Sequence, residues 1–101
     1  MYALYNRGNA YIWMGQYQEA IIDFGQVLTI GPDFVAAYVN RGVARIELTD
    51  YTSALTDFSQ AIELNPDYVH AYYNRANLQF VTNLITMQNS SNDYYRAEFT
   101  G

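Results

Sequence analysis

The chain has 101 residues, half of them apolar and 17% aromatic, which suits one folded domain and not a disordered tail. Its net charge is −5, with five arginines, one histidine and no lysine, so the basic stripe that neutralises nucleic-acid phosphates is missing and an anionic membrane surface is disfavoured. There is no cysteine, which excludes disulfides, thiol chemistry and thiolate metal sites.

Residues 1–34 open the chain. A first helix is expected over about residues 2–14, a turn at Gly15-Gln16, and a second helix over about 17–29. Gly31-Pro32-Asp33 closes the unit, with Gly31 suited to the left-handed conformation at a helix end. Met1 already falls inside the first helix, which suggests a piece cut from a longer protein. Residues 35–68 repeat the pattern without a gap. Ala36 to Leu48 forms the first helix and Thr49-Asp50 breaks it. In the second helix Ala54, Leu55, Phe58, Ala61 and Ile62 make an apolar stripe at i, i+1, i+4, i+7 and i+8. Asn65-Pro66-Asp67 ends it, since proline disfavours helical backbone at Asn65. At this 34-residue offset Ala3/Ala37, Asn6/Asn40, Arg7/Arg41, Gly8/Gly42, Ala20/Ala54, Asp23/Asp57, Phe24/Phe58 and Pro32/Pro66 are identical. A fixed period of this length marks stacked helical hairpins.

Residues 69–101 start the same way, with a helix from His70 to at least Thr82. The turn is then missing: Thr82-Asn83-Leu84-Ile85-Thr86-Met87 stays helix-compatible, and a polar break follows at Gln88 to Asn92. Tyr94 and Ala97 echo Tyr17 and Ala20. The expectation is a third unit with an insertion before a truncated second helix; the alternative is one long helix that caps the stack. Asn89-Ser90-Ser91 matches a glycosylation acceptor triplet of the kind that arises often by chance.

Gly8 and Gly42 sit in mid-helix, where glycine costs roughly 1 kcal/mol against alanine. Close approach of the partner helix, completed by Ala20 and Ala54, is the expected reason. Gly8, Tyr11, Ala20, Phe24 and Pro32, and again Gly42, Ala54, Phe58, Ala61 and Pro66, resemble the tetratricopeptide repeat signature, over residues 1–82. The resemblance implies an all-α, right-handed superhelical stack of antiparallel hairpins, about 2.5 repeats, in a single domain. Departures are Leu4, Tyr38 and Tyr72 at the family's tryptophan place, Arg7, Arg41 and Arg75 at its leucine place, and Arg45 and Gln79 at its first aromatic place.

Arg7 and Arg41 recur together with Asp23 and Asp57. The recurrence predicts an ion pair tying the two helices of each hairpin, with two separately solvated charges as the alternative. In such stacks the inner faces of the first helices line a concave groove, the family's usual binding surface. That face carries Tyr2, Tyr5, Asn6, Asn9, Ile12 and Trp13, then Val39, Asn40, Val43, Ile46 and Glu47. It ends with His70, Tyr73, Asn74, Asn77, Phe80 and Val81. Asn6, Asn40 and Asn74 would form a ladder whose amides both donate and accept, suited to an extended peptide backbone, with aromatics as anchors. The alternative is that the asparagines bond neighbouring helices and the aromatics simply pack.

One branch of the family clamps a partner's C-terminal carboxylate with two asparagines and three basic residues. Asn9 and Asn40 match the asparagine places, whereas Tyr5, His70 and Asn74 replace the cations. Without their charge, weak or no binding to acidic tails is expected. Catalysis has little support. His70 is the only histidine, no glycine-rich phosphate loop appears, and Asp33, Asp50 and Asp67 read as helix caps. No cofactor or metal is implied, and no compartment is indicated. The expected function is a non-catalytic scaffold binding a peptide or protein segment. The alternative is self-assembly into a homo-oligomer through exposed end faces or the irregular third unit, because end repeats lack a neighbour.

Overall fold

The computed structural model describes the backbone of residues 1–100 and the side chains of residues 1–88. Five helices follow in order: α1 (Tyr2–Trp13), α2 (Tyr17–Ile30), α3 (Val35–Glu47), α4 (Tyr51–Leu64) and α5 (Val69–Thr100). No strand occurs among the described residues. Helices α1 and α2 form one antiparallel hairpin, α3 and α4 the next, and α5 packs on α4.

The core repeats with the sequence. Ala20, Phe24, Val27 and Leu28 of α2 pack with Ala37 and Ala44 of α3. Ala54, Phe58 and Ala61 of α4 pack with Val39, Ala71 and Leu78. Phe24 and Phe58 are wholly buried, each contributing about 1.5–3 kcal/mol of apolar burial. Each ring lies on a glycine. A Cβ at Gly8 would come within 2.7 Å of Phe24, and one at Gly42 within 2.6 Å of Phe58. The partner helix thus approaches closely, as the sequence suggests, and the three atoms nearest each glycine all belong to the phenyl ring.

Ion pairs tie the hairpins. Arg7 donates through Nε and Nη2 to Asp23 at 2.7 and 2.8 Å. Arg41 does the same to Asp57 at 3.0 and 2.7 Å. Both carboxylates are almost completely buried. The hydrogen bond to Asp23, and then its charge, raise the Arg7 pKa above the usual arginine range. Arg45 adds a third bond to Asp57, from Nη1 at 2.8 Å. Tyr11 occupies that place in the first hairpin and instead lies 5.8 Å from the Arg7 guanidinium.

The turns show which residues cap. Asp50 accepts a bond from the Ser53 backbone N–H at 3.4 Å, so it caps α4. Asp33 and Asp67 do not fill the expected role. Phe34 holds the cap position of α3, without a side-chain bond, and the Asp67 backbone N–H donates to the Asn65 side chain. Gly15 and Thr49 occupy the same place in their hairpins, and both are left-handed, at φ 74° and 60°, whereas Gly31, expected to be left-handed, ends α2 at φ −129°.

Helix α5 corrects the expected third unit. It runs unbroken from Val69 to Thr100, through the predicted break at Gln88 to Asn92. The proposed match of Tyr94 and Ala97 to Tyr17 and Ala20, and the Asn89-Ser90-Ser91 triplet, lie outside the described side chains. The physical reason for continuation is local and tertiary. Residues 84–87 contain neither glycine nor proline, and Thr82 and Thr86 satisfy their hydroxyls on Gln79 and Thr82 carbonyls of the same helix. A returning helix would need the aspartate and phenylalanine of the earlier hairpins. Ser91 and Asn92 stand at those offsets, and Ala76 stands at the glycine place.

Two measurements follow from these contacts. Thr49→Gly relieves a β-branched residue in left-handed backbone, set against the extra chain entropy of glycine. It should stabilise the chain by roughly 0.5–1 kcal/mol in thermal melting. Arg41→Met leaves Asp57 its bond from Arg45 and should cost little. Combining it with Arg45→Met strands a buried carboxylate and should cost about 3–5 kcal/mol in urea unfolding, more than the two single changes summed.

Candidate concave groove

The first helix of each hairpin faces the next one, and this places α1, α3 and α5 side by side. The direct link between α1 and α3 is Asn40. Its Nδ2 donates to Asn9 Oδ1 at 2.8 Å and to Tyr5 Oη at 3.1 Å. Tyr5 is fixed by its ring, 4.8 Å from that of Phe34 and 6.0 Å from that of Phe24. Asn40, Asn9 and Tyr5 are all half-buried. Asn40 Oδ1 and Asn9 Nδ2 make no hydrogen bond among the described residues, so an acceptor and a donor remain on this face.

The asparagines of equal place are not bonded to one another. Asn6 is exposed and makes no side-chain hydrogen bond among the described residues. Asn74 donates from Nδ2 to the His70 backbone carbonyl at 2.7 Å, within its own helix. The difference from Asn40 has a cause in sequence. The places of Tyr5 and Asn9 in the preceding hairpin hold Val39 and Val43, which offer no acceptor to Asn74. Val39 is also buried in the second core cluster, and Val43 packs against that cluster from a half-buried position. Val39 is thus a core residue and not part of the groove surface.

The remaining residues are open. Trp13 is 90% exposed at the end of α1, and Tyr73 is 66% exposed on α5. His70 is exposed, its ring edge-on to Tyr68 at 5.8 Å. Burial, and secondly the nearby Tyr5 phenol, push the Tyr68 pKa upward, which keeps its hydroxyl neutral. Asn77 lines a small apolar pocket of about 140 Å³ together with Ile46, Tyr51, Leu78 and Val81. Ile46, Asn77 and Val81 are recognisable in the sequence by their place on the first helices. Tyr51 belongs to a second helix and Leu78 to the core flank of α5, so no first-helix pattern singles them out.

Chemically the face offers amides, phenols and an apolar pocket. Its carboxylate among the described residues is Glu47, and the arginines described there are committed elsewhere: Arg7, Arg41 and Arg45 to the buried aspartates, and Arg75 to the ring of Tyr72 at 5.7 Å. Among the described residues no cluster of three histidine, aspartate or glutamate side chains could hold a metal ion. Among the described residues no helix is long and apolar enough to cross a membrane.

Comparison with known proteins agrees with this architecture. The tetratricopeptide repeat family model matches residues 2–34, and a second TPR repeat model matches residues 44–81. No curated protein sequence matches the chain. Among solved structures, the first TPR of Spaghetti (RPAP3) bound to HSP90 peptide SRMEEVD is similar at a TM-score of 0.76 and 24% identity. That match covers 79% of this chain and 64% of the other. The second TPR domain of human RPAP3, in complex with HSP70 peptide SGPTIEEVD, gives 0.73 and 28%, covering 75% and 63%. The Arabidopsis OM64 TPR domain gives 0.73 and 32%, also covering 75% and 63%. The chain thus spans less than two thirds of each of these three relatives. With a 34-residue period, a glycine–phenylalanine contact in both of its hairpins and two family models along its length, the chain belongs to the tetratricopeptide repeat family.

Proposed function

We propose that this chain is a non-catalytic interaction scaffold that binds an extended peptide or protein segment in its concave groove. Residues 1–34 and 35–68 serve as its full repeats, and residues 69–101 as a truncated one. Tyr5, Asn6, Asn9, Trp13, Asn40, Val43, His70, Tyr73, Asn74 and Asn77 are the proposed contact residues. The observation that carries the proposal is the Asn40–Asn9–Tyr5 junction. It holds two first helices in register and leaves one amide acceptor and one amide donor for a ligand backbone. The pocket at Ile46, Asn77 and Val81 gives an apolar ligand side chain a place to anchor. The relatives bound to HSP90 and HSP70 peptides support peptide binding as the coarse function.

The finer specificity differs from a carboxylate clamp. Tyr5, His70 and Asn74 stand where that clamp has cations, and a net charge of −5 opposes an acidic ligand. Each charge-assisted bond lost removes about 1.5–3 kcal/mol. The ligand class favoured here is neutral or basic, extended, with an apolar side chain for the pocket.

Fluorescence titration with a peptide library, read from the exposed Trp13, tests this. Neutral peptides with one aliphatic anchor should bind, and SRMEEVD should bind at least tenfold more weakly. The Asn40→Ala/Asn74→Ala double variant should lose at least tenfold in affinity, and Asn77→Ala should also weaken binding while leaving the melting curve in place. Unchanged affinity in the double variant would discard the groove.

A further inference from the structure

We propose that the groove holds a cation subsite at Glu47, beside the apolar pocket, so that the bound segment carries an arginine or lysine close to its aliphatic anchor. This rests on peptide binding in the groove and adds the charge that the ligand must bring.

Glu47 is the last residue of α3 and follows Ile46, which lines the pocket. It is half-buried and makes no ion pair among the described residues. The cations near it in sequence are turned away, since Arg41 and Arg45 both bond Asp57 on the α4 side. Helix α1 has no basic residue in its last turn. Both α1 and α3 end at this end of the groove, where their C-terminal carbonyl dipoles add negative potential. A ligand cation is the group that answers Glu47, and a guanidinium can do so with two parallel bonds.

Register brings an aromatic to the same place. The Asn40–Asn9 bond sets α1 against α3. Trp13 lies four residues beyond Asn9, and Glu47 seven beyond Asn40. At 1.5 Å per residue the two differ by roughly 4.5 Å along the axes, on helices about 8–10 Å apart. The Trp13 indole is 90% exposed and free to lie over a cation held at Glu47. On the other side of α3 the pocket is completed by Asn77, Leu78 and Val81 of α5. An extended ligand advances about 3.3 Å per residue and alternates its side chains, so an anchor and a cation two residues apart face the same wall.

Isothermal titration calorimetry tests this with glycine–serine heptapeptides that carry leucine and, two positions along, arginine or citrulline, in both orders. Citrulline keeps the shape of arginine without its charge. In the better order the arginine peptide should bind roughly fivefold tighter. Glu47→Gln should bring the two peptides to within about twofold of each other, with the affinity for the citrulline peptide unchanged, and Glu47→Lys should reverse the preference. Glu63→Gln makes the same charge change on the exposed surface of α4 and should leave the preference intact. A preference that survives Glu47→Gln, or that falls equally in Glu63→Gln, would overturn the subsite; the groove would still stand if Asn77→Ala weakens the citrulline peptide. Absence of binding by every peptide would remove the groove and the subsite together.

Discussion

A phenyl ring seated on a glycine sets the geometry of each hairpin. At Gly8 and Gly42 the first helix carries no side chain, so Phe24 and Phe58 can lie directly on its backbone. Glycine in mid-helix costs about 1 kcal/mol, and complete burial of the ring returns about 1.5–3 kcal/mol. The balance favours the contact, and the other features depend on the spacing it creates. It brings the α1 arginine within reach of the α2 aspartate, and the α3 arginines within reach of the α4 aspartate. It also turns Val27 and Leu28 outward to receive Ala37 and Ala44 of the next hairpin. That docking, in turn, sets α1 beside α3 closely enough for Asn40 to reach Asn9.

Recurrence made the fold and the paired charges legible, and it failed where one hairpin departs from the other. Arg7–Asp23 and Arg41–Asp57 share one 16-residue separation, so a periodic reading finds them. Arg45 does not recur, and its bond to Asp57 was invisible because Tyr11 fills the place in the first hairpin. The asparagine ladder was legible as a shared face but not as a bonding scheme. The acceptor of Asn40 lies three places along the preceding helix, at Asn9, and position alone does not show which side chain bonds which. The caps expected at Asp33 and Asp67 differ because α3 takes Phe34 at its cap position without a side-chain bond, and in the second unit the Asp67 backbone N–H donates to the Asn65 side chain.

The groove inherits its chemistry from what the ion pairs remove. Asp23 and Asp57 draw three arginines off the first helices toward the second ones, and Arg75, whose offset meets Ser91 and not an aspartate, lies on a tyrosine ring. The concave side is left with amides and phenols. Such groups select by shape and hydrogen-bond direction, with little long-range attraction, so in the proposed groove the ligand backbone and one apolar anchor would matter more than ligand charge.

The same contact that defines the hairpins explains where they stop. Ala76 replaces the glycine, and no phenylalanine or aspartate follows at the offsets where α2 and α4 carry them. A turn at Asn83 would therefore gain neither a buried ring nor an ion pair, while continued helix keeps every backbone bond along residues 84–87. The loss of the turn is thus foreshadowed some seven residues before the place where it would have to form. It leaves α5 with one flank in the core and the other, lined by Tyr72, Phe80 and Leu84, exposed to water.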